Sequence, residues 1–144
     1  MVGSRRFRSA AGGFTLVELL VVLAILTLLA GLVGPRVLGQ LGGAKTKTAA
    51  VQIADLEKAL EIYKLDVGRF PTNEEGLEAL NKRPATAPGW SGPYLKGAAV
   101  PADPWGHPFR YANPGPSGSI EILSLGADGA PGGEGENADI RNAK

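Results

Sequence analysis

The stretch from Gly13 to Pro35, GFTLVELLVVLAILTLLAGLVGP, constrains this chain more than any other. From Phe14 to Gly34 it runs for 21 residues with Glu18 as its only ionisable side chain. At about 1.5 Å per residue, a helix of that length measures roughly 31 Å, the thickness of a bilayer's hydrocarbon core. A secretory signal has a shorter apolar region, about 7–15 residues, followed by its cleavage site. Here the run is longer and the processing signal precedes it. The segment reads as a membrane-spanning helix, not a plain export signal.

Glu18 is the anomaly. A carboxylate on a membrane helix costs on the order of 3 kcal/mol at mid-bilayer on insertion scales, and less near an end. It either reaches the headgroups or is protonated, or it has a partner. Arg5, Arg6 and Arg8 precede Gly13, and Glu18 is the fifth residue counted from Phe14. A cut between Gly13 and Phe14 would create an α-amine at the helix start, which Glu18 of a neighbouring subunit would neutralise. Burial in lipid would strengthen that pairing.

With the membrane segment set aside, the 144 residues leave one small soluble domain with a modest core. Its 21 glycines and 11 prolines make it rich in loops. The formal charge of +1 falls by three, to −2, once Arg5, Arg6 and Arg8 are removed, and no nucleic-acid partner is indicated. Without cysteine there is no disulfide, thiol chemistry or Cys-ligated zinc. Arg36, Lys45 and Lys47 follow the apolar run closely, so basic residues flank it equally and do not orient it.

In chain order, residues 1–13 are short, polar and basic, and are expected to have no fixed structure before removal. Gly31, Gly34, Pro35, Gly39, Gly42 and Gly43 each lower helix stability, Pro35 most, and predict a bend or loosened segment over 31–43, or the end of an anchor before a linker. Beyond them Ala49, Ile53, Leu56, Leu60, Tyr63 and Val67 share one helical face, while Lys47, Asp55, Lys58, Glu61 and Lys64 lie mostly off it. Under three heptads is short for a coiled coil, so this half of the helix is expected to pack on a small sheet, with Tyr63 in the core. Thr72-Asn73-Glu74-Glu75 reads as a capping box and predicts a short helix through Leu80. From Asn81 to Pro104 prolines and glycines exclude regular structure, and Trp90, Tyr94 and Leu95 should pin the loop to the domain. Alternation about Phe109–Ala112 and Ile120–Leu123 predicts two strands, joined by the long hairpin loop 113–119. The fold class is α+β, a lollipop of long N-terminal helix and small antiparallel sheet. Its three parts are a leader (1–13), a transmembrane helix (14–43) and a domain (44–144).

No catalytic constellation is visible, and the chain reads as a non-enzyme. His107, the only histidine, would need Ser91, Ser117, Ser119 or Ser124 as a nucleophile, and no nucleophile-elbow spacing supports one. Asp103-Pro104-Trp105 reads as a turn followed by a core aromatic. Glu74 and Glu75 read as a helix-start pair favoured by the macrodipole. From Asp128 to Asp139 the run DGAPGGEGENAD carries four carboxylates, Asp128, Glu134, Glu136 and Asp139. Such a loop suits calcium, which takes six to eight oxygens at about 2.3–2.6 Å, better than magnesium or zinc. On composition alone a solvated acidic segment is the simpler reading. An EF-hand is excluded, because Ala130 and Gly132 stand where oxygen side chains are needed.

The N-terminal stretch resembles the type IV pilin and pseudopilin signature. Further along, RFPTNEEGLEAL, GPYLKG, VPADPWGHPFRYANPG and SLGADGAPGGEGENADI resemble the major pseudopilin family of the type II secretion system, general secretion pathway protein G. The N-terminal motif is common to all pilin relatives, whereas the DPWG and LGADG segments single out the pseudopilin. The resemblance implies that a prepilin peptidase cuts after Gly13 and methylates the new N-terminal Phe14, that Glu18 and Pro35 serve assembly, and that the region around Pro35 melts on assembly. It implies one calcium, held by the Leu125 carbonyl, the Asp128 and Asp139 side chains and the Arg141 carbonyl. An asparagine often stands in the family where this chain has His107, which supports a turn role.

By the same resemblance the chain is an inner-membrane, single-pass protein with its domain in the periplasm. It would be the repeating subunit of a homopolymer, the pseudopilus, with minor pseudopilins and an inner-membrane secretion platform as partners. Driven by a cytoplasmic ATPase, the pseudopilus helps push folded exoproteins through an outer-membrane pore. The alternatives are a type IV pilin for adhesion, motility or DNA uptake, which often carries a C-terminal disulfide, and a non-polymerising anchored binding domain, which would keep its leader and not need Glu18.

Overall fold

The computed structural model describes residues 12–142; residues 1–11, with Arg5, Arg6 and Arg8 of the expected leader, and residues 143–144 lie outside the described residues. The chain divides into two compact units, Met1–Leu38 and Gly39–Lys144. One helix, α1, runs Leu16–Val67 over 52 residues, about 78 Å at the helical rise. In the first unit its side chains are exposed on every face, including Leu28 at 74% and Leu32 at 65%. A helix apolar all round and unburied is made for an apolar solvent, and this stretch is long and apolar enough to cross a membrane.

α1 continues through Pro35, so the helix does not end in a linker over 31–43. A proline removes one amide donor and costs about 3 kcal/mol relative to alanine, with about 1 kcal/mol for each glycine. Leaving the helix inside hydrocarbon would free several amides at once, each costing several kcal/mol, so one lost bond is the smaller penalty.

In the second unit α1 has one buried face, formed by Ala49, Ile53, Leu56, Ala59, Leu60 and Tyr63. This is the predicted face with Ala59 added, and Val67 is only partly buried at its end. It packs against Leu77, Ala79, Leu80, Ala87, Phe109, Ile120 and Ile122. Full burial of each large side chain stabilises by roughly 1.5–3 kcal/mol.

The capping box is present, with Glu75 N–H donating to Thr72 Oγ1 (3.3 Å) and Thr72 N–H to Glu75 Oε2 (2.8 Å). It does not start the expected α-helix. Turn residues follow, Gly76 takes φ of +56°, and a 3-10 turn runs Leu77–Leu80. Glycine in the left-handed region ends the capped turn before an α-helix can propagate, and the 3-10 turn still buries Leu77, Ala79 and Leu80. The loop beyond it is ordered by aromatics. Trp90 Nε1–H donates to the Ala79 carbonyl (2.7 Å), and Tyr94 meets Tyr63 and Trp90 edge-on.

The sheet has three antiparallel strands in the order β1 (Arg110–Ala112), β2 (Glu121–Ser124) and β3 (Ile140–Arg141). Arg110 pairs with Leu123, and Ser124 with Ile140. The two predicted strands are present, with Phe109 and Ile120 buried immediately before them. β3 was not predicted, since two residues carry no alternation. Asn142 fastens the end of β3, accepting from Ile122 N–H (2.9 Å) and donating to Glu57 Oε1 on α1 (3.2 Å).

Candidate functional site

The predicted site residues fall at two places, one in each unit. At the first, Gly13 and Phe14 lie in exposed non-helical chain just ahead of Leu16, with Phe14 84% exposed. Among the described residues a Cβ at Gly13 would meet nothing within 4 Å, so these leave the chain around the expected scissile bond open. Glu18 has a partner within its own chain. Thr15 N–H donates to Glu18 Oε2 (3.0 Å) and Glu18 N–H to Thr15 Oγ1 (3.2 Å), a capping box on α1. The Thr-x-x-Glu spacing at 15–18 is the same signal as at 72–75, here hidden inside the apolar run. Pro35 is exposed within the helix.

The second place is the C-terminal loop. Ser124 ends β2 and pairs with Ile140 at the start of β3, so the chain leaves and re-enters the sheet at one place, just before Leu125 and just after Asp139. The loop between them folds back on itself: Ala127 N–H donates to the Glu136 carbonyl (2.9 Å), and a 3-10 turn spans Gly135–Asn137. Asp128 is exposed, its Oδ1 accepting from Ala130 N–H (3.1 Å). Asp139 has a side chain only 14% exposed; Oδ2 accepts from Arg141 Nη2 (3.3 Å), while Oδ1 is buried without a hydrogen-bond partner among the described residues. The Arg141 guanidinium also reaches Glu121 Oε1 (3.2 Å).

Among the described residues no three carboxylate or histidine side chains gather as a metal cluster. A cation here would therefore depend on backbone carbonyls beside two carboxylates, a donor set that calcium accepts and zinc does not. Asp139 Oδ1 is the observation in favour, because a buried carboxylate oxygen with no donor is costly and the Arg141 guanidinium reaches only Oδ2. The residues present fit such an ion.

Three polar clusters escaped the sequence reading. Asp103 is 4% exposed, and its Oδ1 accepts from Trp105 N–H (3.1 Å) and His107 N–H (2.8 Å) while Oδ2 accepts from Ser124 Oγ (2.6 Å). The turn was legible, but its partner 21 residues on was not. Glu75 forms a two-pronged pair with Arg69 (2.7 and 2.8 Å) and also accepts from Thr86 Oγ1, so its role extends beyond a helix-start charge. The Arg69 pairing pulls the Glu75 carboxyl down to about 2. Ser91 and Tyr94 both donate to Asp66, tying the aromatic loop to the end of α1 and holding that carboxyl below its ordinary range. Of the serines that could have served as a nucleophile beside His107, Ser124 gives its hydroxyl to Asp103 and Ser91 to Asp66.

Known proteins match this arrangement. The family described as type II secretion system, protein G, matches residues 36–143, and the prokaryotic N-terminal methylation motif matches residues 8–34. Type II secretion system core protein G of Vibrio cholerae is 45% identical over 133 residues, covering 90% of each chain. That of Pseudomonas aeruginosa is 44% identical over 139 residues, covering 94% of this chain and 96% of its own. The crystal structure of the major pseudopilin from the type 2 secretion system of enterohaemorrhagic Escherichia coli superposes with a TM-score of 0.59 at 35% identity, over 73% of this chain and 91% of that one. With a family match over most of its length and relatives this similar end to end, the chain belongs to the protein G family of type II secretion systems, the major pseudopilins.

Proposed function

We propose that this chain is the repeating subunit of a periplasmic pseudopilus, which grows from the inner membrane and helps drive folded exoproteins across the outer membrane. The observation that carries the reading is the first unit. Its helix is apolar on every face and begins two residues after an open Gly13-Phe14 junction. Family membership favours this role over a type IV pilin or an anchored domain that never polymerises.

On this reading a prepilin peptidase cuts after Gly13 and methylates Phe14, and the chain sits once in the inner membrane with its second unit in the periplasm. The Glu18 carboxylate, occupied by the Thr15 amide in the single chain, exchanges that partner for a neighbour's Phe14 amine during assembly. Minor pseudopilins and the inner-membrane platform are its partners on this reading. Calcium would be held by the Leu125 carbonyl, the Asp128 and Asp139 side chains and the Arg141 carbonyl, and would supply positive charge to the C-terminal loop.

The test is the N-terminal mass of the protein from cells with and without prepilin peptidase. The expected wild-type product begins at a methylated Phe14, and the leader remains when the peptidase is absent. A leader retained in both overturns the reading.

A further inference from the structure

We infer that Ser124 and His107 are positioning residues that hold the loop main chain so that the Leu125 carbonyl is presented to a cation; the inference rests on the calcium reading above. Ser124 is fully buried at the end of β2. Its hydroxyl donates to Asp103 Oδ2 (2.6 Å) and accepts from Gly126 N–H (3.3 Å). Asp103 is itself held through its other oxygen by the amides of Trp105 and His107, so the hydroxyl has a fixed direction.

The peptide unit is planar, and in its trans form the Leu125 carbonyl and the Gly126 N–H point in opposite directions. Gripping the N–H therefore aims the carbonyl. The next peptide plane is held on both sides: the Gly126 carbonyl accepts from His107 Nδ1 (3.1 Å), and Ala127 N–H donates to the Glu136 carbonyl (2.9 Å). A carbonyl only accepts, which assigns the proton to Nδ1 of His107. Between the two planes Gly126 takes φ of +68°, and a Cβ there would lie 2.6 Å from the Glu136 oxygen. The turn from Leu125 to Asp128 is thus shaped by protein groups alone, which lowers the ordering cost of taking up an ion.

The experiment is calorimetric titration of calcium into the chelator-stripped full chain in detergent, for wild type, Ser124→Ala, His107→Ala and His107→Asn, with melting in chelator measured alongside. Asparagine places an amide nitrogen where Nδ1 sits and restores the donor. Ser124→Ala and His107→Ala should weaken calcium binding by about tenfold or more, the usual consequence of losing an outer partner, with His107→Asn returning close to wild type. Wild-type affinity in His107→Ala, or an equal loss in His107→Ala and His107→Asn, overturns the inference while leaving the calcium reading intact. So does a lower melting temperature in chelator with an unchanged calcium affinity. A wild-type chain that takes up no calcium overturns the calcium reading and the inference together. Where Ser124→Ala does not fold, the half-buried His107 pair decides.

Discussion

The two parts of α1 are the same secondary structure held by different physics. Leu16–Leu38 exposes large apolar side chains all round, whereas beyond Gly39 the helix buries one face and turns charges such as Lys58 and Asp55 outward. The first part needs an apolar medium in which an unbonded amide is prohibitive. The second draws its stability from a core shared with the sheet and the loops. Helicity alone therefore says little about what a mutation will do, and the surroundings of each turn decide it.

The largest contrast should come from truncating leucines. Leu60→Ala removes a fully buried side chain and should destabilise the second unit by about 2–5 kcal/mol, read by thermal or denaturant unfolding in detergent. Leu26→Ala, at an exposed position in the first part, should leave that transition unmoved. Equal shifts would break the distinction between the two parts.

A charge sharpens the comparison from the other side. Leu26→Asp should cost about 3 kcal/mol on membrane insertion, seen as loss from the membrane fraction. Leu65→Asp, at a position 83% exposed in the second part, should change neither insertion nor stability appreciably.

A smaller effect separates the parts by pH. The Glu75 carboxyl sits at about 2 in the folded chain, against 4.5 for an unperturbed group, chiefly because Arg69 hydrogen-bonds it. As pH falls the unfolded chain takes up the proton first. The pair's contribution is therefore complete above about 4.5, declines between 4.5 and about 2, and is gone below. Asp66 is shifted in the same direction by Ser91 and Tyr94. Denaturant midpoints of wild type and Glu75→Gln should differ at pH 6 and converge toward pH 2.5. A constant difference would show that the carboxylate's charge is not what matters.

The smallest effect compares the two capping boxes. Thr72→Ala should lower second-unit stability by about 1 kcal/mol, whereas Thr15→Ala should fray only the first turn of α1, visible as faster amide exchange near Val17 and Glu18 without a change in melting.

The sequence by itself determined the elements that carry a local period or a local hydrogen bond. The apolar run, the face from Ala49 to Tyr63, the Thr72–Glu75 box and the alternation in β1 and β2 are properties of residues within a few positions of one another. So was the resemblance of the Gly13-Phe14 junction to a processing motif. Only the tertiary structure decided the rest. It kept α1 whole through Pro35, because the cost of freed amides exceeds the cost of one lost bond. It recruited Ile140 and Arg141 as a strand against β2, set Thr86 on the Arg69–Glu75 pair and placed Ser124 on Asp103. It also brought Asn142 to Glu57 across 85 residues of chain. The physical reason is range: a period is encoded by neighbours along the chain, whereas a buried polar group takes whichever partner the packed core delivers to it.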